Sequence, residues 1–214
     1  MGLSLGILFR IFLALILSFA CYAQKSDPVS DVVFWAKALR GTKGSLVAGN
    51  KKFSRDCSNF VRASYYGALG KDLFEEAVQA GIYGEVRKEV SGGNLGVVAL
   101  YRLFKRKYQL SQKPKRGDIV FFDNTYDRNR NKKWDDPLSH AGIVTDIQSD
   151  GTVVFIHGGT SRGIEEGFLH LEYPGELKKS GKRINSYIQR SYIWSKERKL
   201  SGELVRAFGR VKKS

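Results

Sequence analysis

The segment SHAGIVTDIQSDGTVVFIHG, residues 139–158, decides the fold of this 214-residue chain. Two apolar runs, Ala141 to Ile147 and Thr152 to Ile156, have the composition of buried β-strands. The polar residues between them, Ser149-Asp150-Gly151, form a turn signal. The segment therefore predicts an antiparallel hairpin.

Helical patterns precede this hairpin, and strand patterns surround it. Capping residues and apolar spacing predict helices over 31–40, 56–70, 73–80 and 94–107. Compact apolar runs predict further strands over 118–122 and 186–194, while 202–211 fits either element. Helices followed by an antiparallel sheet describe an α+β domain.

Two histidines stand at the adjoining ends of the predicted hairpin. A turn centred on Asp150 pairs positions whose numbers sum to about 300, which places His157 opposite residue 143 and diagonal to His140. Diagonal neighbours lie roughly 7–8 Å apart between Cα atoms, within reach of long side chains. The spacing thus permits a contact between the two imidazoles.

Cys57 stands at the start of a predicted helix. Asp56 is a good N-cap, so the Cys57 thiol lies near unpaired backbone N–H groups and the positive end of the helix dipole. That environment favours the thiolate, the reactive form of cysteine. A buried, inert cysteine is the alternative. A thiol nucleophile also needs a base, and the chain has three histidines from which to choose.

Four ordered blocks of the chain resemble the NlpC-type cell-wall cysteine peptidases, which have papain-like folds with N-terminal helices packed on an antiparallel sheet. These blocks are DCSNFV (56–61), GDIVFF (117–122), SHAGIV (139–144) and FIHG (155–158). The resemblance implies that Cys57 is the nucleophile, His140 the general base and His157 the group that orients His140. It also implies hydrolysis of amide bonds in peptidoglycan stem peptides, often at the link from D-glutamate to a diamino acid, with no cofactor and no metal.

The CHAP family of amidases and peptidases is a near relative that shares the first three blocks. His157 favours the NlpC type, because CHAP proteins more often carry an acidic or amide residue there. Two features depart from the NlpC pattern: Asn59 replaces the usual Gly, and residues 41–55 lack the tyrosine that helps to form the substrate pocket. These departures concern substrate preference. His170 matches no motif and is expected to be a surface or packing residue.

Two functions of other classes remain open on the same scaffold. One is a thiol acyltransferase or lipid-directed enzyme, which a basic, lipid-seeking surface would serve. The other is a catalytically silent module that binds the cell wall.

The N-terminus predicts export. An unbroken apolar run covers Ile11 to Ala20, between Arg10 and small residues that end at Ala23, and it is too short to cross a bilayer alone. We expect a cleaved signal peptide over 1–23, a cysteine peptidase domain over 24–195 and a basic segment over 196–214. The mature protein would reside in the periplasm, the cell envelope or outside the cell. An uncleaved membrane anchor and lipidation at Cys21 are the alternatives.

The formal net charge of +15 indicates the class of partner. Export argues against nucleic acid, so peptidoglycan or another anionic envelope polymer is expected, with peripheral contact to a membrane and a monomeric state. Ordinary solvated faces are the alternative explanation of the charge.

A polar insertion, Asp123 to Asp136, stands just before His140. Its oxygen-bearing residues alternate as in a calcium loop, but Lys132 replaces the turn Gly and Leu138 the bidentate Glu. An Asx-rich turn that forms a wall of the active-site cleft is therefore expected. The residues at the alternating positions are Asp127, Asn129, Asn131 and Asp135.

Overall fold

The computed structural model describes residues 27–92, 95–195 and 198–211. The helices within these ranges are α1 (Pro28–Ala38), α2 (Cys57–Leu69), α3 (Leu73–Gln79), α4 (Ile82–Glu89), α5 (Gly96–Lys107) and α6 (Ser201–Leu204). The strands are β1 (Leu46–Ala48), β2 (Lys51–Phe53), β3 (Gln109–Ser111), β4 (Ile119–Phe122), β5 (His140–Ile147), β6 (Val153–Thr160), β7 (Gly163–Leu169), β8 (Lys178–Lys179), β9 (Lys182–Arg183) and β10 (Val205–Arg210). The predicted signal peptide, Cys21 and Asn94, the residue at which the sequence predicts the start of a helix, lie outside the described residues. Within them, no helix is long and apolar enough to cross a membrane.

A six-stranded antiparallel sheet forms the centre of the domain, with the strand order β3-β10-β4-β5-β6-β7. Helix α2 packs on β5 and β6, and α1 packs on β5. A large apolar core fills the space between the helices and the sheet, and a smaller core around Phe122, Phe155 and Phe208 covers the other face. The architecture confirms the α+β class that the order of sequence patterns predicts.

The register of the β5–β6 hairpin differs from the sequence prediction near the histidines. Close to the turn, Asp146 pairs with Val154 as a simple hairpin requires, but a bulge then shifts the register, and His157 lies opposite Gly142 rather than residue 143. Because side chains alternate between faces along a strand, a one-residue shift moves His157 onto the face that His140 occupies. The predicted register would have placed the two imidazoles on opposite faces.

The C-terminal part of the chain also differs from expectation. Residues 186–194, predicted as a strand, form only isolated bridges, because their polar groups bond to loops instead: the Arg190 N–H donates to the Thr125 carbonyl at 2.7 Å. The ambiguous stretch 202–211 contributes α6 and β10, and β10 lies between β3 and β4. The sheet therefore extends past the boundary predicted at residue 195.

A buried ion pair fixes β10 to the start of β4. The Arg210 guanidinium donates to both carboxylate oxygens of Asp118, at 2.8 and 2.7 Å, and the Asp118 side chain is buried. Removing one partner of such a pair leaves an uncompensated charge in the interior. We expect Arg210→Met to lower the free energy of unfolding by about 3 kcal/mol in urea denaturation at pH 7.

Arg206→Met is the matched control for this prediction. Arg206 lies on the same strand and pairs with Asp123 at 2.6 Å, but its side chain is 46% exposed, so its loss should cost under about 1 kcal/mol. Equal losses in the two variants would contradict a special role of the buried pair.

Candidate active site

Cys57 is the first residue of α2, as the sequence predicts. The Asp56 side chain caps this helix: its Oδ1 accepts a hydrogen bond from the Asn59 N–H at 2.9 Å and another from the Ser58 hydroxyl at 2.7 Å. The cap satisfies one of the free N–H groups of the first turn and fixes the residue at which the helix begins. Cys57 is 8% exposed. This residual exposure faces a cleft, so the thiol is not sealed in the core.

His140 and His157 contact each other directly. His140 Nε2 and His157 Nδ1 are 2.9 Å apart, and the two rings are nearly perpendicular at 83°. The rings of Phe122 and Phe155 lie beside them, at 6.1 Å from His140 and 5.2 Å from His157 respectively. The apolar neighbours limit access of water to both imidazoles.

Two glycines allow the approach of the elements that carry the site. A Cβ at Gly142 would lie 2.7 Å from the Ile156 carbonyl oxygen and 3.2 Å from the Cβ of His157. A Cβ at Gly158 would lie 3.2 Å from the Asp56 carbonyl oxygen and 2.7 Å from Ile164 Cδ1. Strand β6 therefore packs directly against the start of α2.

Cys57, His140 and His157 all line one cleft with a volume of about 610 Å³. The structure thus brings the three predicted site residues together. Tyr126, from the insertion before His140, forms part of the wall, as the position of that insertion indicates. The cleft also contains three arginines that sequence reasoning missed, because nothing local distinguishes them from the other cations of this basic chain. They are Arg162, Arg190 and Arg198.

The ionisation state of Cys57 differs from the thiolate that the sequence predicts. Burial, and then the nearby Asp56 carboxylate, raise the pKa of the Cys57 thiol to about 12. Backbone hydrogen bonds at Ala141, Ser58 and Cys57 oppose this rise without overcoming it. The desolvation of the charged form outweighs the helix terminus here, so the resting thiol is protonated.

Both histidines are held neutral. Burial lowers the pKa of His140 well below its ordinary value, and electrostatic interactions with the nearby His157 ring and with the positive charge of Arg190 lower it further. Burial and then Arg162 lower the pKa of His157 to about 4. The resting state of the cleft at neutral pH therefore has a neutral thiol and two neutral imidazoles.

The low pKa of His157 predicts a pH-dependent stability. As the pH falls below the ordinary pKa of 6.5, the unfolded chain binds a proton that the folded site accepts only near pH 4. The contribution is fully present above pH 6.5 and is lost progressively down to about pH 4. A shift of this size corresponds to roughly 3 kcal/mol, measurable as a fall in the free energy of unfolding between these pH values.

His157→Asn tests whether this residue is the cause. The variant lacks one of the two buried imidazoles, so its unfolding free energy should fall by roughly 3 kcal/mol less over the same interval, and the remaining fall should come from His140, whose pKa is also lowered by burial. If the free energy of unfolding of His157→Asn falls as steeply as that of the wild type, the pH dependence arises from groups other than His157.

The remaining predicted features lie outside the catalytic cluster. The Asp127 carboxylate accepts hydrogen bonds from the backbone N–H groups of Asn131 and Lys132, and the Asn131 amide donates to Asp135. The insertion thus contains the Asx-rich turn that the sequence predicts. His170 is buried and its Nε2 contacts the Asp150 carbonyl oxygen at 2.9 Å, which confirms a packing role for that residue.

A model of the CHAP domain family matches residues 47–159, which is just over half of the chain. The matched range contains Cys57, His140 and His157 in order. No curated protein and no solved structure matches the chain.

Proposed function

The chain belongs to the CHAP domain family, whose members are typically hydrolases of peptidoglycan, and we propose that this protein is an exported cysteine hydrolase that cleaves amide bonds in peptidoglycan stem peptides. The observation that carries the proposal is the convergence of one thiol and two hydrogen-bonded imidazoles in one cleft. Such an arrangement suits nucleophilic acyl transfer, which needs a nucleophile, a base and a group that orients the base.

His140 acts as the base through its Nδ1 atom. Its Nε2 faces His157 Nδ1 at 2.9 Å, and the low pKa of His157 keeps that ring neutral, so His157 Nδ1 accepts in the tautomer that carries its proton on Nε2. The His140 Nε2–H then donates to His157, which leaves His140 Nδ1 to take the thiol proton. His157 is thus a positioning residue, because it fixes the tautomer and the ring of His140.

The reaction passes through a thioester. As His140 takes the thiol proton, Cys57 Sγ attacks the amide carbonyl carbon, and backbone N–H groups at the start of α2 stabilise the oxyanion. The C–N bond breaks, and His140 protonates the leaving amine. Water, deprotonated by His140, then attacks the thioester, which releases the carboxylic acid and restores the thiol.

Digestion of purified peptidoglycan tests the proposal. Mass spectrometry should find stem peptides with one new amine and one new carboxylate, and the products should be absent with the Cys57→Ala protein. Transfer of the acyl group to an added amine, without hydrolysis, would favour an acyltransferase. Binding of the polymer without turnover by both proteins would contradict the enzymatic proposal.

Export and wall association complete the proposal. Residues 1–23 have the pattern of a signal peptide, and CHAP domains typically occur in exported cell-wall enzymes. The excess of positive charge would hold the enzyme at anionic polymers of the envelope. N-terminal sequencing of the protein recovered from outside the cytoplasm should begin just after Ala20 or Ala23, and a start at Met1 would contradict cleavage.

A further inference from the structure

A turn with large apolar side chains protrudes from the surface near the C-terminus. The backbone N–H of Ser195 donates to the Tyr192 carbonyl at 3.0 Å, which closes a β-turn with Ile193 and Trp194 at its centre. Ile193 is fully exposed, with a relative accessibility of 106%. We call this turn, together with the ring of Trp134 that packs against it, the aromatic tip.

The aromatic tip is held in one shape by its own contacts. The rings of Tyr192 and Trp194 stack with their centres 5.0 Å apart and an angle of 14° between their planes. The centre of the Trp134 ring lies 5.0 Å from that of Trp194, and the Trp134 indole N–H donates to the Ser195 hydroxyl oxygen at 3.0 Å. Ile193 therefore projects from an ordered base of three aromatic rings.

Positive charge flanks the aromatic tip. Three exposed cations precede Trp134, and none of them forms an ion pair among the residues that the structure describes. The two acidic residues of the same loop are occupied: the Asp127 carboxylate accepts from backbone N–H groups, and the Asp135 carboxylate accepts from the Asn131 amide. The three exposed cations are Arg130, Lys132 and Lys133.

We propose that the aromatic tip binds the surface of an anionic phospholipid bilayer, with Ile193 and Trp194 inserted among the headgroups. Tyrosine and tryptophan suit this depth, because each has an apolar body and a polar atom that stays hydrated. The flanking cations would lie at the level of the negatively charged lipids. The surface goes beyond the proposed function and does not depend on it.

The shape of the aromatic tip favours a membrane over the other partners of an aromatic surface. A sugar ring would need an open aromatic face, but Tyr192 and Trp194 each cover one face of the other. A protein partner would need roughly 800 Å² of surface, whereas the apolar part of the tip is one short turn. A protruding, fully exposed aliphatic side chain gains most by entering a soft apolar phase.

The aromatic tip adjoins the cleft that contains Cys57. The Tyr192 hydroxyl accepts from the Asp127 backbone N–H at 3.2 Å, and Asp127 follows Tyr126, a residue of the cleft wall. Arg190, which precedes Tyr192 by two residues, also lines the cleft. Membrane binding would therefore hold the cleft close to the bilayer surface.

Sedimentation with lipid vesicles tests the proposal on the chain that begins at Gln24, which contains every described residue. The protein should bind vesicles of equimolar phosphatidylglycerol and phosphatidylcholine, and should bind phosphatidylcholine alone far more weakly. Ile193→Ser should weaken binding to the anionic vesicles about 10-fold, because an apolar side chain no longer enters the interface. Replacing Lys132 and Lys133 together with Gln should weaken it about 20-fold at low salt.

Matched variants separate the aromatic tip from general stickiness and general charge. Phe34→Ser removes another exposed apolar side chain, on α1, and should leave binding unchanged. Replacing Lys178 and Arg183 with Gln removes the same charge from the β8–β9 hairpin, which an ion pair of Lys182 with Asp150 fixes near the β5–β6 turn. That turn lies at the opposite end of β5 from the loop before His140, so this variant should bind nearly as the wild type does.

Tryptophan fluorescence tests insertion directly. Phospholipids brominated on their acyl chains quench only tryptophans that enter the bilayer, so quenching should occur in the wild type and be reduced in Trp194→Phe. Quenching should persist in Trp35→Phe, because Trp35 lies on α1 and packs closely against Gly67 of α2.

Three outcomes would overturn the proposal. One is equal binding of the wild type and Ile193→Ser to the anionic vesicles, and another is an absence of quenching by brominated lipid. The third is displacement of the vesicles by peptide-free glycan strands, which would assign the aromatic tip to sugars. The hydrolase proposal fails separately, because the Cys57→Ala protein should bind vesicles as the wild type does whether or not either protein cleaves peptidoglycan.

Discussion

The Cys57→Ala protein should hydrolyse stem-peptide amides about 10⁵-fold more slowly than the wild type, because the reaction loses its nucleophile and no neighbouring group replaces it. The residual rate would come from binding and the oxyanion site alone. The substitution removes one buried sulfur at the first residue of a helix whose cap is Asp56, so the fold should persist. A continuous assay of amine release measures the loss.

Cys57→Ser provides the second arm of this test. The hydroxyl is close in size to the thiol but far less acidic, and the buried site already disfavours ionisation, since the pKa of the thiol is about 12. We expect the serine protein to be nearly as inactive as the alanine protein. As a control for folding, both variants should have melting temperatures close to that of the wild type. Substantial hydrolysis by a folded Cys57→Ala protein would contradict the assignment of Cys57 as the nucleophile.

His140→Ala should lower kcat by about 10³- to 10⁴-fold, the contribution of a positioned general base together with its later role as acid. In the wild type, the acid limb of kcat/KM should lie below pH 6.5, because burial holds the pKa of His140 below that value and only the neutral ring accepts the thiol proton. The pH profile of kcat/KM on a stem-peptide substrate measures this limb.

His157 offers a matched comparison for the base. His157→Asn retains an acceptor for the His140 Nε2–H and should keep most of the activity, whereas His157→Ala should lose it by about 10²-fold. Amide residues are also among those that related CHAP proteins more often carry at this place. An equal loss in His157→Asn and His157→Ala would show that His157 does more than orient His140.

Local sequence determined much of this architecture. Asp56 caps α2 through its own side chain, the Ser-Asp-Gly turn nucleates the β5–β6 hairpin, and both effects depend on residues within a few positions. The order of helices before strands likewise sufficed for the α+β class. The proximity of the two strand ends that carry His140 and His157 was predictable because a hairpin brings its two ends together.

Only the tertiary structure decided which face of the sheet carries the two histidines and how the ionisable groups of the site titrate. The bulge in β5 places His140 and His157 on one face, and it depends on how β4 and β6 pair with β5 rather than on the turn. The high pKa of the Cys57 thiol arises mainly from its burial in the folded protein, and the position of β10 depends on the ion pair between Arg210 and Asp118, which is 92 residues away in the sequence. Register, burial and such pairings are set by segments distant in sequence, so no local pattern determines them.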